Sequence, residues 1–237
     1  MKATGIKEIN GIIRDRKAKC MRNRIIVISF YFSVLSLMTI GQTNPEIAIP
    51  RFNDKYSKLV GKLEAGQTGI DFREFRESYI ESEQFKIASA KFKELDSLKK
   101  EMYAQMDKSN YNEIIKITKA ILSIDYTCLI AHKILRQTYK LVGDTMNARK
   151  YKAIQFGLLN SIVRNGDGKS CETGWPVIQI VEEYFILQML GAKLEKQSLY
   201  NNKGICDKMD VEEAGQKKTY YFETSKVFEG YNKLGIK

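Results

Sequence analysis

Residues 110–151 read NYNEIIKITKAILSIDYTCLIAHKILRQTYKLVGDTMNARKY. Apolar residues recur in this stretch at three- and four-residue steps, the spacing of one helix face. Cys128, Ala131, Leu135, Thr138 and Val142 make one such stripe, which stops at the turn-forming pair Gly143-Asp144. The two ends of the stretch also match each other. Asn110–Ile117 can be laid over Asp144–Tyr151 at an offset of 34 residues, placing Ile114 with Ala148 and Ile117 with Tyr151. The stretch therefore predicts helical hairpins with a short internal period.

An offset of 34 is the period of the tetratricopeptide repeat. Helix, Gly-Asp turn and a second helix with a small residue near its start resemble one such unit. The match covers about one and a half repeats, whereas a free-standing solenoid needs about three. Toward the N-terminus, Phe52, Tyr56, Leu59, Val60 and Leu63 predict an amphipathic helix. Gly66-Gln67-Thr68-Gly69 ends it. Asp71-Phe72-Arg73-Glu74 then predicts a capped helix start, with Glu74 reaching back to the cap. Phe92, Leu95, Leu98 and Met102 predict another helix.

Beyond residue 162 the pattern changes. Asn165 to Ser170 is a turn cluster. Its Gly168-Lys169-Ser170 is not a phosphate-binding loop, because Val163 stands where that motif needs glycine. Pro176–Val181 predicts a strand entered by Trp175, and Phe185–Leu190 a short helix. Lys196–Tyr200, Ile205–Val211 and Lys218–Glu223 predict three strands, joined by turns at Asn201–Gly204 and Glu213–Gln216. Ser225 is placed to cap a last helix. The expected fold is α+β: tetratricopeptide-like helical hairpins over 45–162, then a small antiparallel sheet with short helices over 163–237. The sheet should cover one helical face, pack with it as one unit and leave one groove open.

The N-terminus predicts an address. Met21-Arg22-Asn23-Arg24 is a basic head, and Ile25–Ile40 is an apolar run of 16 residues without a charge. Thr39 and Gly41 suit the positions before a cleavage site, so 21–41 reads as a signal peptide cut after Gly41. Residues 1–20 form a basic leader, read as a mis-assigned start with translation beginning at Met21. The expected location is periplasmic or secreted, with the membrane met only through the signal segment. Residues 1–41 also carry eight Lys/Arg against two Asp/Glu, so +6 of the formal +11 lies there. The remaining excess is mild and lacks aromatic interleaving, which argues against a nucleic-acid partner.

Cys128, Cys171 and Cys206 follow the signal segment and allow three pairings, with no spacing rule to choose among them. No CxxC occurs and His132 is the only histidine, so neither a metal nor a cofactor is indicated. His132 stands beside Ala131 on a predicted helix, and no serine sits in an elbow motif. No catalytic constellation is visible. Glu182, Glu183, Asp207 and Asp210 supply carboxylates that could act as acid and base if their environments split their pKa values.

Three segments resemble an uncharacterised family of exported Bacteroidetes proteins, domain of unknown function 4919. They are Tyr56–Phe75 with its turn and Asp71–Arg76; Gly166–Ser170 running into Trp175–Ile178 and Glu183-Tyr184; and Ser198-Leu199 with Cys206–Met209 and Tyr221–Glu223. The resemblance implies export and a shared fold, and no activity. Candidate ligand-binding residues are Asp167, Lys169, Ser170, Trp175, Glu183, Tyr184 and Asp207. The expected function is a non-enzymatic binding or scaffolding protein of the envelope, its partner another envelope protein or a peptide. The alternative is a carboxylate-dependent hydrolase acting on an envelope polymer or peptide.

Overall fold

The computed structural model describes residues 45–201 and 204–236. Leader and signal segment lie outside these residues, as do Asn202 and Lys203 of the first predicted hairpin turn. Seven helices come first: α1 (Lys55–Glu64), α2 (Phe72–Ile80), α3 (Glu83–Ala90), α4 (Phe92–Asp107), α5 (Tyr111–Ile124), α6 (Leu129–Leu141) and α7 (Thr145–Val163). They lead into β1 (Trp175–Pro176), α8 (Ile180–Leu190), β2 (Ala192–Asn201), β3 (Ile205–Glu213), β4 (Gln216–Glu223) and α9 (Ser225–Lys233). The class is α+β, with the sheet after the helical layer. No helix among the described residues is long and apolar enough to cross a membrane.

Helices α1, α2, α3 and α7 start where a side chain satisfies their free N–H groups. Asp54 accepts from Ser57 N at α1, and Asp71 accepts from Arg73 N and Glu74 N at α2. Glu74 does not reach back to the cap; it pairs with Lys55 of α1 instead. Helices α4 to α7 pack in chain order, as any up-and-down layer does. That order does not by itself make tetratricopeptide units. The stripe of α5 (Ile114, Ile117, Ile121) and that of α6 (Ala131, Ile134, Leu135) are buried in one core. Helix α3 has no counterpart in the sequence pattern: its buried Phe85 and Ala88 are too few to make a periodic stripe.

The sheet order is β1-β4-β3-β2. β2 and β4 flank β3 antiparallel, while β1 adds to β4 in parallel through Trp175 beside Phe222. The sheet is thus antiparallel except at that edge. Asp207, Met209, Val211 and Phe222 face inward and are buried. Met209, Val211 and Phe222 belong to the same core cluster as Tyr56, Phe75 and Ile121.

Several boundaries differ from expectation; β2, for one, begins at Ala192 and not at Lys196. The strand predicted over Pro176–Val181 is cut to two residues, and α8 begins at Ile180, taking in Glu182-Glu183-Tyr184. The cause is Glu182 in its first turn, whose carboxylate complements the helix N-terminus and accepts from Ile178 N. At α9 the cap position is Thr224, not Ser225; the Thr224 hydroxyl donates to Ile205 O at 3.0 Å.

Arg76 joins the layers. It is 2% exposed, and its guanidinium grips the Glu182 carboxylate with two nitrogens, at 3.0 and 2.6 Å. It also donates to Pro176 O at 3.1 Å. This buried fork fixes α2 against the start of α8. Cys171 is bonded to Cys206, their Cα atoms 5.8 Å apart, and Cys128 is free and buried.

Candidate functional site

The predicted site residues fall into two groups. Asp167, Lys169 and Ser170 shape the loop between α7 and β1. Asp167 Oδ1 accepts from Lys169 N at 3.1 Å and from Thr173 Oγ1 at 2.5 Å. These bonds, the threonine's first, hold its carboxyl below the usual range. Gly168 sits in the left-handed region at φ 68°, and a Cβ there would lie 2.9 Å from the Trp175 ring. Gly168 O also accepts from Tyr221 N of β4. Trp175 is buried against Tyr220 and Phe222. The loop spends its polar groups on its own folding, and Lys169 projects into solvent. Nothing in this geometry gathers donors around a ligand.

Glu183, Tyr184 and Asp207 form the second group. Trp175 and Asp207 share a cross-sheet row with Phe222 between them. Asp207 Oδ2 accepts from Gln197 Nε2, and Gln197 Oε1 accepts from the Tyr184 hydroxyl, both at 2.7 Å. Glu183 of α8 lies against Asp207 with no exposed surface. As a carboxylate it would have no hydrogen-bond donor. As a carboxylic acid it has the Asp207 carboxylate beside it as an acceptor. Burial, then the Asp207 charge, raises its pKa to about 9. The neutral acid is therefore the form of Glu183 present near neutrality. Exposed Tyr184 and Gln197 mark the outer end of this chain of bonds.

The other carboxylates stand apart. Glu182 is held by Arg76 and Ile178 N. Asp210 lies on the opposite face of β3 and accepts from Thr219 Oγ1 at 2.7 Å, which lowers its pKa. His132 is fully buried, donates from Nε2 to Tyr126 O at 2.7 Å, and is pushed by burial down to about 4. It is a neutral core histidine. Burial likewise pushes the Cys128 thiol up to about 11. No group of three or more His, Cys, Asp or Glu among the described residues is arranged to hold a metal.

A concave surface lies elsewhere. An apolar groove of about 440 Å³ runs between α3, α4, the start of α8, and α9. Tyr79, Phe85 and Val227 are buried beneath it, while Phe92 of α4 and Val181 of α8 stand at it 63% and 51% exposed. The sequence pattern does not mark this groove as a site. Phe92 shows in the helical stripe, but only the fold brings α9 opposite it. The match to the family model Domain of unknown function (DUF4919) spans residues 46–233. The chain belongs to the DUF4919 family. No curated protein and no solved structure matches it. The match takes in every described element, so the carboxylate pair, the loop and the groove all lie within the DUF4919 region.

Proposed function

We propose that this is an exported, non-catalytic binding protein of the cell envelope, whose working surface is the apolar groove. The observation that carries the reading is the pair of large apolar side chains, Phe92 and Val181, left in solvent beside a concavity of ligand size. Such a surface suits a peptide segment of another envelope protein that offers a few apolar side chains. Tyr231 of α9, 37% exposed, adds an aromatic edge of the kind enriched in binding surfaces. Export is supported by the signal pattern at 21–41 and by a disulfide, which persists in oxidising compartments.

A photo-crosslinking side chain at position 92 or 181 tests the groove, with Lys217 on the outer sheet face as control. A discrete adduct from the two groove positions and none from 217 is expected in intact cells. Equal labelling at all three positions, or none, would overturn the reading. N-terminal sequencing of the fractionated protein should find a mature chain starting at Gln42; an uncut cytoplasmic chain would count against export.

The adjacency of Glu183 and Asp207 favours the alternative, a carboxylate-dependent hydrolase. Its difficulty is access: Glu183 has no exposed surface, and Glu182 is locked to Arg76. An acid that never touches solvent is more readily explained as a packing element.

A further inference from the structure

A second recess, of about 460 Å³, opens between the chain at Glu46–Ile49, α1, α5, α6 and α7. One side is built around Glu64, the last residue of α1. Its carboxylate accepts from the Tyr126 hydroxyl, the Tyr151 hydroxyl at 3.2 Å, and Lys150 Nζ at 2.8 Å. Its charge is offset and its lone pairs are used. Lys119 of α5 differs: it is half-buried and has no ion pair or hydrogen bond among the described residues. Its Nζ lies 6.0 Å from the centre of the Tyr139 ring. Burial lowers its pKa, against the raising effect of Glu64, with Lys150 lowering it further and Glu46 and Asp144 raising it. Tyr139 is 6% exposed and stacks on Tyr151 with ring centres 5.7 Å apart. Its hydroxyl also has no hydrogen-bond partner among the described residues. An ammonium and a phenol therefore line one recess with donors unspent.

We propose that this recess binds a small organic monocarboxylate, one oxygen taken by Lys119 Nζ and the other by the Tyr139 hydroxyl. Two charge-assisted donors of this kind match the two acceptor oxygens of a carboxylate. The surroundings set the ligand's charge. Lys119 and Lys150 face Glu64 and Glu46, so the recess is close to neutral and offers no second uncompensated cation among the described residues to balance a dianion. Ile47 and Ile49 give one apolar border for the ligand's carbon skeleton. The site shares no lining residue with the groove, so it stands or falls separately from that reading.

Titration of the ¹⁵N-labelled full chain provides the test. The probes are D-glucuronate and benzoate as monocarboxylates, glucose as a neutral control, and glucose 6-phosphate as a dianion. Saturable shifts are expected for at least one monocarboxylate and for neither control. Lys119→Met should weaken that binding at least tenfold, and Tyr139→Phe severalfold. No saturable shift with either monocarboxylate would overturn the proposal. So would glucose 6-phosphate binding as well as they do, or unchanged affinity in Lys119→Met. If Lys119→Met fails to fold, Tyr139→Phe decides, since it removes one oxygen and leaves the stacked ring in place.

Discussion

At the scale of single residues, Glu183 and Asp207 make a pH-dependent contact inside the protein. Unfolded, Glu183 titrates near its ordinary value of 4.5; folded, near 9. Between those values the folded chain holds one more proton than the unfolded chain. The stability that the neutral acid contributes is therefore complete below about pH 4.5 and is lost as pH rises toward about 9. The slope from one such proton approaches about 1.4 kcal/mol per pH unit. Glu183→Gln keeps a donor for Asp207 and removes the titration. Urea midpoints measured from pH 5 to 9 should show the variant gaining on the wild-type protein as pH rises. Parallel curves would show that Glu183 is ionised in the fold. The motif around Glu183 places it among the candidates. Its environment is not legible there, because the partner, Asp207, lies on a strand 24 positions away. Nor is the Arg76–Glu182 fork, whose partners are 106 positions apart.

At the scale of elements, the β3–β4 hairpin turns through Ala214 and Gly215, both at positive φ, 52° and 78°. A two-residue turn of that form favours Asn-Gly, and alanine at its first position is strained. Ala214→Asn should stabilise the protein by about 0.5–1 kcal/mol, read as a raised thermal midpoint. An unchanged or lowered midpoint would place the turn in another form. Elements with a full apolar stripe, such as α1 and α5, are legible in the sequence pattern, and so are the three long strands. The segment Pro176–Val181 is not. Its β-branched run suits a strand by propensity, but Arg76 takes Pro176 O and the Glu182 carboxylate together and sets the chain on a helical course at Ile180. Tertiary contact overrides a local preference. Helix α3 escapes for the opposite reason, having little local signal to read.

At the scale of the molecule, the Cys171–Cys206 bond ties the loop before β1 to the central strand β3 across 35 positions. Closing a loop of that length in the unfolded chain contributes about 3–4 kcal/mol. The Cys171→Ser/Cys206→Ser double variant should melt roughly 10 °C lower than the oxidised protein, and reductant should leave the variant unaffected. Equal melting temperatures would show the thiols unpaired in the native chain. The Arg76–Glu182 fork carries a consequence of a different kind. A ribosome makes α2 long before α8, so for about a hundred residues of synthesis Arg76 has no counter-charge to close on. A helical layer packed without Glu182 would bury that guanidinium unpaired, which is strongly destabilising. Chains truncated before Glu182 should therefore be markedly less stable than the full protein.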